Sequence, residues 1–306
     1  MLMHGRADVL AKIAAGTAAA VRDRQVRGTP GRAVGTLLAR GDGWSVADVV
    51  CTCGPSDRVF EEVHTRHSVG VVLSGTFQQR SKEGRHVMSA GAFLLGNPGD
   101  TYECDHEHAV GDRCVAFHYS PEYLEGVAAD LSVPKIRARF GATRLPPTRE
   151  LSEAVARTAV ALDMPDPAAW NELAVRVCAA ALSVDAGRGS RRTTPPPGVI
   201  RRITEHMRAV ESDPTVDASL DRLAAAAGLS PFAYLRAFQQ LTGATPHQFL
   251  LRARLRRAAV RLATWQANVI DVGLSSGFGD VSNFNKAFRA EFGVTPTAYR
   301  RKAASA

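Results

Sequence analysis

The stretch GFGDVSNFNKAFRAEFGVTP, residues 277–296, decides the fold of the last third of the chain, because a close copy of it occurs upstream. The copy is GLSPFAYLRAFQQLTGATP, residues 228–246. The two stretches align at an offset of 50 residues from Ser230 and Asp280 onward, and at 49 residues before that point. A segment that occurs twice at a fixed spacing predicts one supersecondary unit used twice.

Each copy predicts a helix, a tight turn and a second helix. Gly228 and Gly277 lie where the first helix must end, and glycine adopts the positive φ of such a turn at little steric cost. Ser230 and Asp280 follow, and their side chains can accept backbone N–H groups as N-caps of the second helix. Phenylalanines at matched positions fill the corner between the helices. The outer face of each second helix is therefore expected to be uncovered.

A steeply crossed helix pair commonly presents its second helix to the major groove of DNA. Between the two copies, Thr245 and Pro246 predict the start of a connecting helix that runs to about Thr264, since proline is harmless at the first helical position. That helix spans roughly 27 Å at 1.5 Å per residue, a little less than the ~34 Å of one DNA turn. Both second helices could therefore enter successive major grooves.

Positive charge is concentrated in the same third of the chain. Residues 198–306 contain 15 Lys and Arg against 8 Asp and Glu, a net charge of +7, whereas the remaining residues carry +1. This imbalance predicts an anionic partner, although arginine-rich helices can also be simply solvated. The connecting-helix residues expected to contact DNA phosphates are Arg252, Arg254, Arg256 and Arg257.

Residues 199–302 resemble the DNA-binding domain of the AraC/XylS family of bacterial transcription regulators, which contains two helix-turn-helix motifs. The most specific part is GFGDVSNFNKAFRAEFGVTPTAYR, residues 277–300. The resemblance implies that bases are read from the outer side of each second helix, by Phe232, Leu235, Arg236, Ser282, Asn283 and Lys286. Pro231 and Leu235 stand where polar residues would be more usual, so DNA shape or thymine-methyl contacts could replace direct readout there.

The chain is predicted to have an α+β fold in four parts. These are an N-terminal helix or arm (1–33), a β-rich domain with a helical hairpin (34–185), a proline-rich linker (186–198) and the helical domain (199–306). Residues 34–119 consist of short β-branched or aromatic runs separated by glycine turns, which suits a small barrel or sandwich. The resemblance implies that this part is a cupin-like sensor barrel and that the hairpin, residues 149–184, is a homodimer surface.

The segment YECDHEHAVGDRC, residues 102–114, concentrates possible metal ligands. If Ala109 is the centre of a hairpin turn, Cys104 lies across from Cys114. His106 and His108 then share the face of Cys104, because strand side chains alternate. These four residues could bind zinc or another thiophilic metal, and the pair Cys51 and Cys53 could join them. The alternative is a structural role, since cysteine is often a small core residue.

The favoured function is therefore a sequence-specific regulator of transcription that binds double-stranded DNA and is not an enzyme. Its expected partners are a small-molecule or metal effector, a second copy of the chain and RNA polymerase. The longest N-terminal apolar run is broken by Asp8 and Lys12, and the number of cysteines is odd, which predicts a cytoplasmic protein without membrane contact. A rival interpretation is a cupin-type metalloenzyme that uses His64 and His67, but residues three apart on a strand face opposite sides.

Overall fold

The structure, a computed structural model, describes residues 9–131, 138–163, 167–186, 195–216 and 219–304. Within these ranges the chain forms a β-rich half followed by a helical half, which confirms the predicted α+β fold. No helix in the described ranges is both long and apolar enough to cross a membrane. The predicted linker lies mostly outside the described residues, and the four-part division stays a prediction.

The β-rich half is one antiparallel nine-stranded sheet that folds over on itself. Its main path runs β1-β2-β8-β4-β6-β9, with β5 and β7 added to β4 and β3 added to β7. The strands are β1 Ala33–Gly41, β2 Trp44–Cys51, β3 Phe60–Val63, β4 His67–Ser81, β5 Gly84–Ser89, β6 Phe93–Gly96, β7 Thr101–Asp105, β8 Asp112–Tyr119 and β9 Arg144–Leu145.

The sheet bends along strand β4, because the two ends of this strand pair with different neighbours. Its first part, His67–Gly75, pairs with β8, and its second part, Thr76–Ser81, pairs with β5. A register shift between Val72 and Ser74 interrupts the ladder to β8. Such an irregularity increases local twist and lets one strand turn from one sheet into another. The concave side of the folded sheet encloses the cavity described below.

Four helices cover the sheet: α1 Val9–Arg27, α2 Pro121–Asp130, α3 Arg149–Asp163 and α4 Pro167–Ala186. On α1 the buried residues recur every four positions at Val9, Ile13, Thr17 and Val21, so one stripe of the helix faces the protein. Helices α3 and α4 match the predicted hairpin closely. Helix α2 had not been predicted, although Ser120 caps it by accepting a hydrogen bond from Tyr123 N–H.

The helical half contains seven helices among the described residues. They are α5 Pro197–Ser212, α6 Leu220–Ala226, α7 Pro231–Thr242, α8 Pro246–Thr264, α9 Val269–Ser275, α10 Val281–Phe292 and α11 Pro296–Ala304. Gly228 and Gly277 adopt the predicted positive φ angles of 66° and 99°. Thr245 and Gln248 form a reciprocal capping box at the start of α8. Both predicted helix-turn-helix units are therefore present, with α7 and α10 as their second helices.

The two halves share one continuous hydrophobic core. The largest buried cluster joins Val155 of α3 and Val115 of β8 to Leu255 of α8 and Phe288 of α10. Helix α3, predicted to lie on a dimer surface, packs against the connecting helix α8. The helical domain is therefore docked against the barrel through α8.

Candidate functional site

The second predicted reading helix, α10, presents a polar outer face. Asp280 caps it by accepting a hydrogen bond from Asn283 N–H at 2.7 Å. Phe284 and Phe288 are fully buried on its inner side. The predicted reading residues on this helix, Ser282, Asn283 and Lys286, are all exposed. A capped helix anchored by two phenylalanines thus holds three polar side chains on its outer surface.

Helix α7 is the matching helix of the first repeat. Ser230 caps it by accepting a hydrogen bond from a first-turn N–H at 3.2 Å, and Phe238 anchors its inner side. Of the predicted reading residues, Arg236 is exposed and Leu235 is half-buried. The side chain of Phe232 lies outside the described part of the chain. Arg236 is therefore the polar reading candidate that α7 presents to solvent.

Arg256 on the connecting helix is not placed to meet a phosphate. Eleven of the 19 residues of α8 are buried, because the helix packs between α3 and the other helices of its own domain. Arg256 is only 5% exposed, and its guanidinium lies against Gly91 of the barrel. Burial lowers the pKa of Arg256 to about 10, although Glu211 nearby favours the charged form. This residue joins the two domains.

The other three predicted phosphate ligands donate hydrogen bonds to backbone carbonyl oxygens of neighbouring segments. The pairs are Arg252 with Pro147 (3.0 Å), Arg254 with Pro214 (2.7 Å) and Arg257 with Ser212 (3.3 Å). Such carbonyls, at helix and loop ends, are acceptors without backbone donors, and a guanidinium satisfies them well. The docked barrel and neighbouring loops thus hold these three guanidinium groups, and the expected phosphate-facing row stays a prediction.

The barrel encloses a cavity of about 310 Å³. Its polar lining includes Glu62, His64, Tyr102, His106, Asp112 and His118. Tyr102 donates a hydrogen bond to Glu62 and stacks on His64, with ring centroids 4.7 Å apart. Burial lowers the pKa of His64 to about 4, so its imidazole is neutral at neutral pH. Burial also lowers the pKa of His118. The cavity can thus offer both hydrogen-bond donors and acceptors to a small molecule.

The predicted ligand set Cys104, His106, His108 and Cys114 is not assembled. Strand β7 pairs with β3 and β4, and β8 pairs with β2 and β4, so the expected hairpin between them does not form. Cys104 and Cys114 both pack beside Phe77 in a small hydrophobic cluster. Burial raises the pKa of both thiols well above its ordinary value. The Nε2 atom of His108 lies near Glu107, at 3.7 Å.

A different group is brought together. Ligand atoms of Cys51, Cys53 and His106 all lie within 4.8 Å of one another. Cys51 Sγ is 3.7 Å from His106 Nε2, which in turn is 2.8 Å from Asp112 Oδ2. All four residues are buried. The sequence had suggested that Cys51 and Cys53 could join a metal set that included His106, but Cys104, His108 and Cys114 are not part of the group that the structure brings together.

His64 and His67 have separate surroundings, as the three-residue spacing suggested. His64 lines the cavity and hydrogen-bonds Ser68 through Nδ1 at 2.9 Å. His67 Nδ1 instead lies 3.2 Å from Asn97 Oδ1, and its ring packs edge-on against Phe140. The two imidazoles therefore do not converge on one cation.

Two protein-family descriptions match this chain. An AraC-like ligand binding domain matches residues 49–174, and a helix-turn-helix domain matches residues 223–302. The HTH-type transcriptional activator AarP of Providencia stuartii is 32% identical over 98 residues, covering 32% of this chain and 73% of AarP. The chain belongs to the AraC/XylS family of transcription regulators.

Other AraC-type proteins match over different shares of their length. The HTH-type transcriptional regulator MtrA of Neisseria gonorrhoeae is 31% identical over 102 residues, which is 33% of this chain and 34% of MtrA. The match thus spans about one third of the length of MtrA. A crystal structure of ToxT from Vibrio cholerae also matches, at 12% sequence identity and a TM-score of 0.36. The match covers 85% of this chain and 95% of the ToxT chain.

The two family matches coincide with the two candidate sites. The ligand-binding match begins in β2 and ends in α4, so it contains most of the cavity wall, and the helix-turn-helix match contains α7, α8 and α10. Sequence reasoning missed Asp112 and His118 as cavity residues. The alternation of strand side chains could have found them, because they share the β8 face of Cys114.

Proposed function

We propose that this AraC-type chain regulates transcription by binding specific duplex DNA through α7 and α10. The observation that carries the proposal is the exposed polar face of α10, formed by Ser282, Asn283 and Lys286. Asparagine can bond two atoms of adenine, and lysine can bond the acceptor edge of guanine, in a groove wide enough for a helix. Family membership supports the same conclusion.

On α7 we propose Arg236 as the principal base-reading side chain, because it is exposed on the helix surface. Phosphate contacts are assigned to none of the four α8 arginines, whose guanidinium groups contact protein atoms. Backbone N–H groups at helix N-termini can bind phosphates instead. Readout by the first repeat then depends more on DNA shape and apolar contacts than readout by the second.

We also propose that the barrel cavity receives a small effector. Its volume of about 310 Å³ lies at the lower end of the roughly 300–1,000 Å³ of ligand pockets. Neutral imidazoles and the Tyr102–Glu62 pair would orient a polar molecule by hydrogen bonds. The family relatives are transcription regulators, and a role without catalysis is part of this proposal.

A homodimer would use the outer face of α4, because α8 covers part of α3. Val175 on α4 is 46% exposed and lies beside the edge strand β1, so it is the position at which a contact between two copies can be tested. Contact with RNA polymerase completes the proposed set of partners. Light scattering of the purified chain, with and without Val175→Arg, tests the dimer directly.

The DNA proposal is tested by selection of genomic fragments. The full chain is incubated with sheared DNA of its host, bound fragments are sequenced, and affinity for recovered sites is compared with scrambled versions. We expect recovered sites to bind at least about 10³-fold more tightly than scrambled DNA at physiological salt. Equal retention of both would contradict the proposal.

A further inference from the structure

The ends of three chain segments meet beside the cavity. Cys51 ends β2, Cys53 lies two residues later, His106 follows β7 and Asp112 begins β8. None of the four is more than 5% exposed. Cys51 Sγ and His106 Nε2 are 3.7 Å apart, and Cys53 Sγ lies within 4.8 Å of Cys51 Sγ and of a ring nitrogen of His106. Asp112 Oδ2 is 2.8 Å from the same imidazole nitrogen.

The distance between Cys51 Sγ and His106 Nε2 fits a tetrahedral cation site. With bonds of about 2.3 Å to sulfur and about 2.0 Å to nitrogen, the ligand atoms around zinc lie roughly 3.5–3.8 Å apart. The observed sulfur–nitrogen distance of 3.7 Å falls in that range. Two thiolates and an imidazole are also the soft and borderline donors that Zn²⁺ prefers over Mg²⁺ or Ca²⁺. We propose that Cys51, Cys53, His106 and Asp112 bind one thiophilic divalent cation of the Zn²⁺ class.

Ion binding requires small changes at the site. The two thiols lose one proton each to solvent, since a thiolate and not a thiol coordinates the metal. Asp112 exchanges its hydrogen bond with His106 for a bond to the cation. Zn²⁺ with two thiolates and one carboxylate leaves a net charge of −1, and no electron transfer is involved.

The surrounding backbone holds the cysteine loop in place. Asp57 accepts hydrogen bonds from Gly31 N–H and Gly54 N–H, each at 2.8 Å, and it pairs with Arg24 of α1. Cys53 O accepts a hydrogen bond from the N–H of Gly111, also at 2.8 Å. A loop fixed at both ends needs little reorganisation on binding, which favours a preformed metal site over two cysteines that merely fill space.

The ion has a route to the site, because Cys51, His106 and Asp112 line the 310 Å³ cavity. The same region adjoins α1, since a Cβ atom at Gly111 would lie 2.7 Å from a methyl group of Val21. Helix α1 also packs against the connecting helix α8. The cation could therefore act as the regulatory signal, a consequence that rests on the proposed function.

The test is made on the full chain without DNA, so its outcome is independent of regulation. Reduced, metal-free protein is titrated with Co²⁺ and then with Zn²⁺. We expect one equivalent of Co²⁺ with sulfur-to-cobalt charge-transfer absorption, and its displacement by Zn²⁺. Failure to bind either ion stoichiometrically overturns the proposal, whatever the protein does with DNA.

Variants identify the ligands. Cys53→Ser should weaken binding by more than the roughly 10–100-fold that outer-shell partners cost, and it should reduce the charge-transfer band. The matched controls are Cys178→Ser, in the helical core, and Cys104→Ser, in the cavity wall but outside the cluster. Both control variants should bind the metal ions as the unmodified chain does. If Cys104→Ser loses metal binding while Cys53→Ser keeps it, the assignment of the ligands is wrong.

A second measurement does not depend on the folding of any variant. X-ray absorption at the zinc edge of the unmodified, Zn²⁺-loaded chain should show two sulfur and two nitrogen or oxygen ligands. A coordination shell without sulfur would exclude the site.

Discussion

Arg252 Nε lies 3.5 Å from Glu291 Oε1, in an ion pair that joins the connecting helix to the second reading helix at the surface of the barrel domain. The side chains are 17% and 9% exposed. Ser152 of α3 donates a hydrogen bond to the same carboxylate, so Glu291 links three helices across both domains. Arg252, which the sequence predicts to contact DNA, thus helps to orient α10, the helix that is predicted to read bases.

Glu291→Gln should destabilise the protein by about 1–3 kcal/mol, because it leaves the half-buried guanidinium of Arg252 with a weaker, uncharged acceptor. Urea unfolding followed by circular dichroism measures the change. The control is Glu205→Gln on α5, whose pair with Arg202 is about half exposed on both sides and should contribute under ~1 kcal/mol. Equal losses in the two variants would show that the Arg252–Glu291 pair has no special importance.

The contribution of Glu211 to the stability of the docked form should fall as pH rises from about 4.5 to about 7. Burial raises the pKa of Glu211 from 4.5 to about 7, with Ala90 N–H, Arg256 and Arg208 facing the carboxyl and partly opposing the shift. Across that window Glu211 in the docked form retains a proton that the unfolded chain has lost, so this group by itself favours unfolding as pH rises.

Glu211→Gln isolates this contribution, since the amide can still accept the hydrogen bond from Ala90. Unfolding midpoints are compared at about pH 5 and about pH 8. Burial lowers the pKa of His64 and of His206 to about 4, so these two groups favour folding as pH rises. Their contribution is the same in the unmodified chain and in the Glu211→Gln variant, and it cancels in the comparison. We expect the midpoint of the unmodified chain to fall relative to the variant on going to the higher pH. A constant difference would contradict a buried, protonated Glu211.

Lys286→Ala should cost ~1–3 kcal/mol at the selected DNA site and relax specificity at one base position. The reason is that Lys286 is exposed on the outer face of α10, where it can reach a base edge. Fluorescence anisotropy with each base substituted in turn measures both effects. Arg22→Ala, which removes one exposed positive charge from α1, should leave the base preference unchanged. If the two variants behave identically, Lys286 contributes only its positive charge and does not read a base.

Gly273→Ala should destabilise the second repeat, although alanine is the better helix former. A Cβ atom there would lie 2.7 Å from Cδ1 of Phe284, whose ring packs against Phe278 with centroids 5.1 Å apart. Overpacking of this kind costs about 1–3 kcal/mol. Gly126→Ala in α2 meets no atom within 4 Å and should stabilise by about 0.5–1 kcal/mol. Thermal unfolding measures the change in stability of each variant, and the two changes should have opposite signs.

The helical domain could be predicted closely because its signals are local. Helix α10 needed only the cap at Asp280, apolar residues at helical spacing and a glycine beyond its end, all within one stretch of chain. The same signals at Ser120 and Pro121 would have found α2. The exposed face of α10 followed from the same helical periodicity, which separates the buried Phe284 from the exposed Lys286.

The cysteine and arginine roles could not be predicted in this way. Cys104 faced Cys114 only if β7 and β8 formed a hairpin, and each strand instead pairs with other strands. The side chain that meets Cys51 is therefore His106, 55 positions away. Similarly, the composition of α8 predicts an anionic partner, but composition carries no information about which face another domain covers.

The amino-acid sequence by itself thus determined the helices of the C-terminal domain, their caps, the duplicated helix-turn-helix unit and the charge of that domain. The tertiary structure alone decided that Arg256 lies against the barrel and that Cys51, Cys53 and His106 converge. The physical reason is that caps and periodicity act within a few residues, whereas strand pairing and domain docking join residues far apart in the chain.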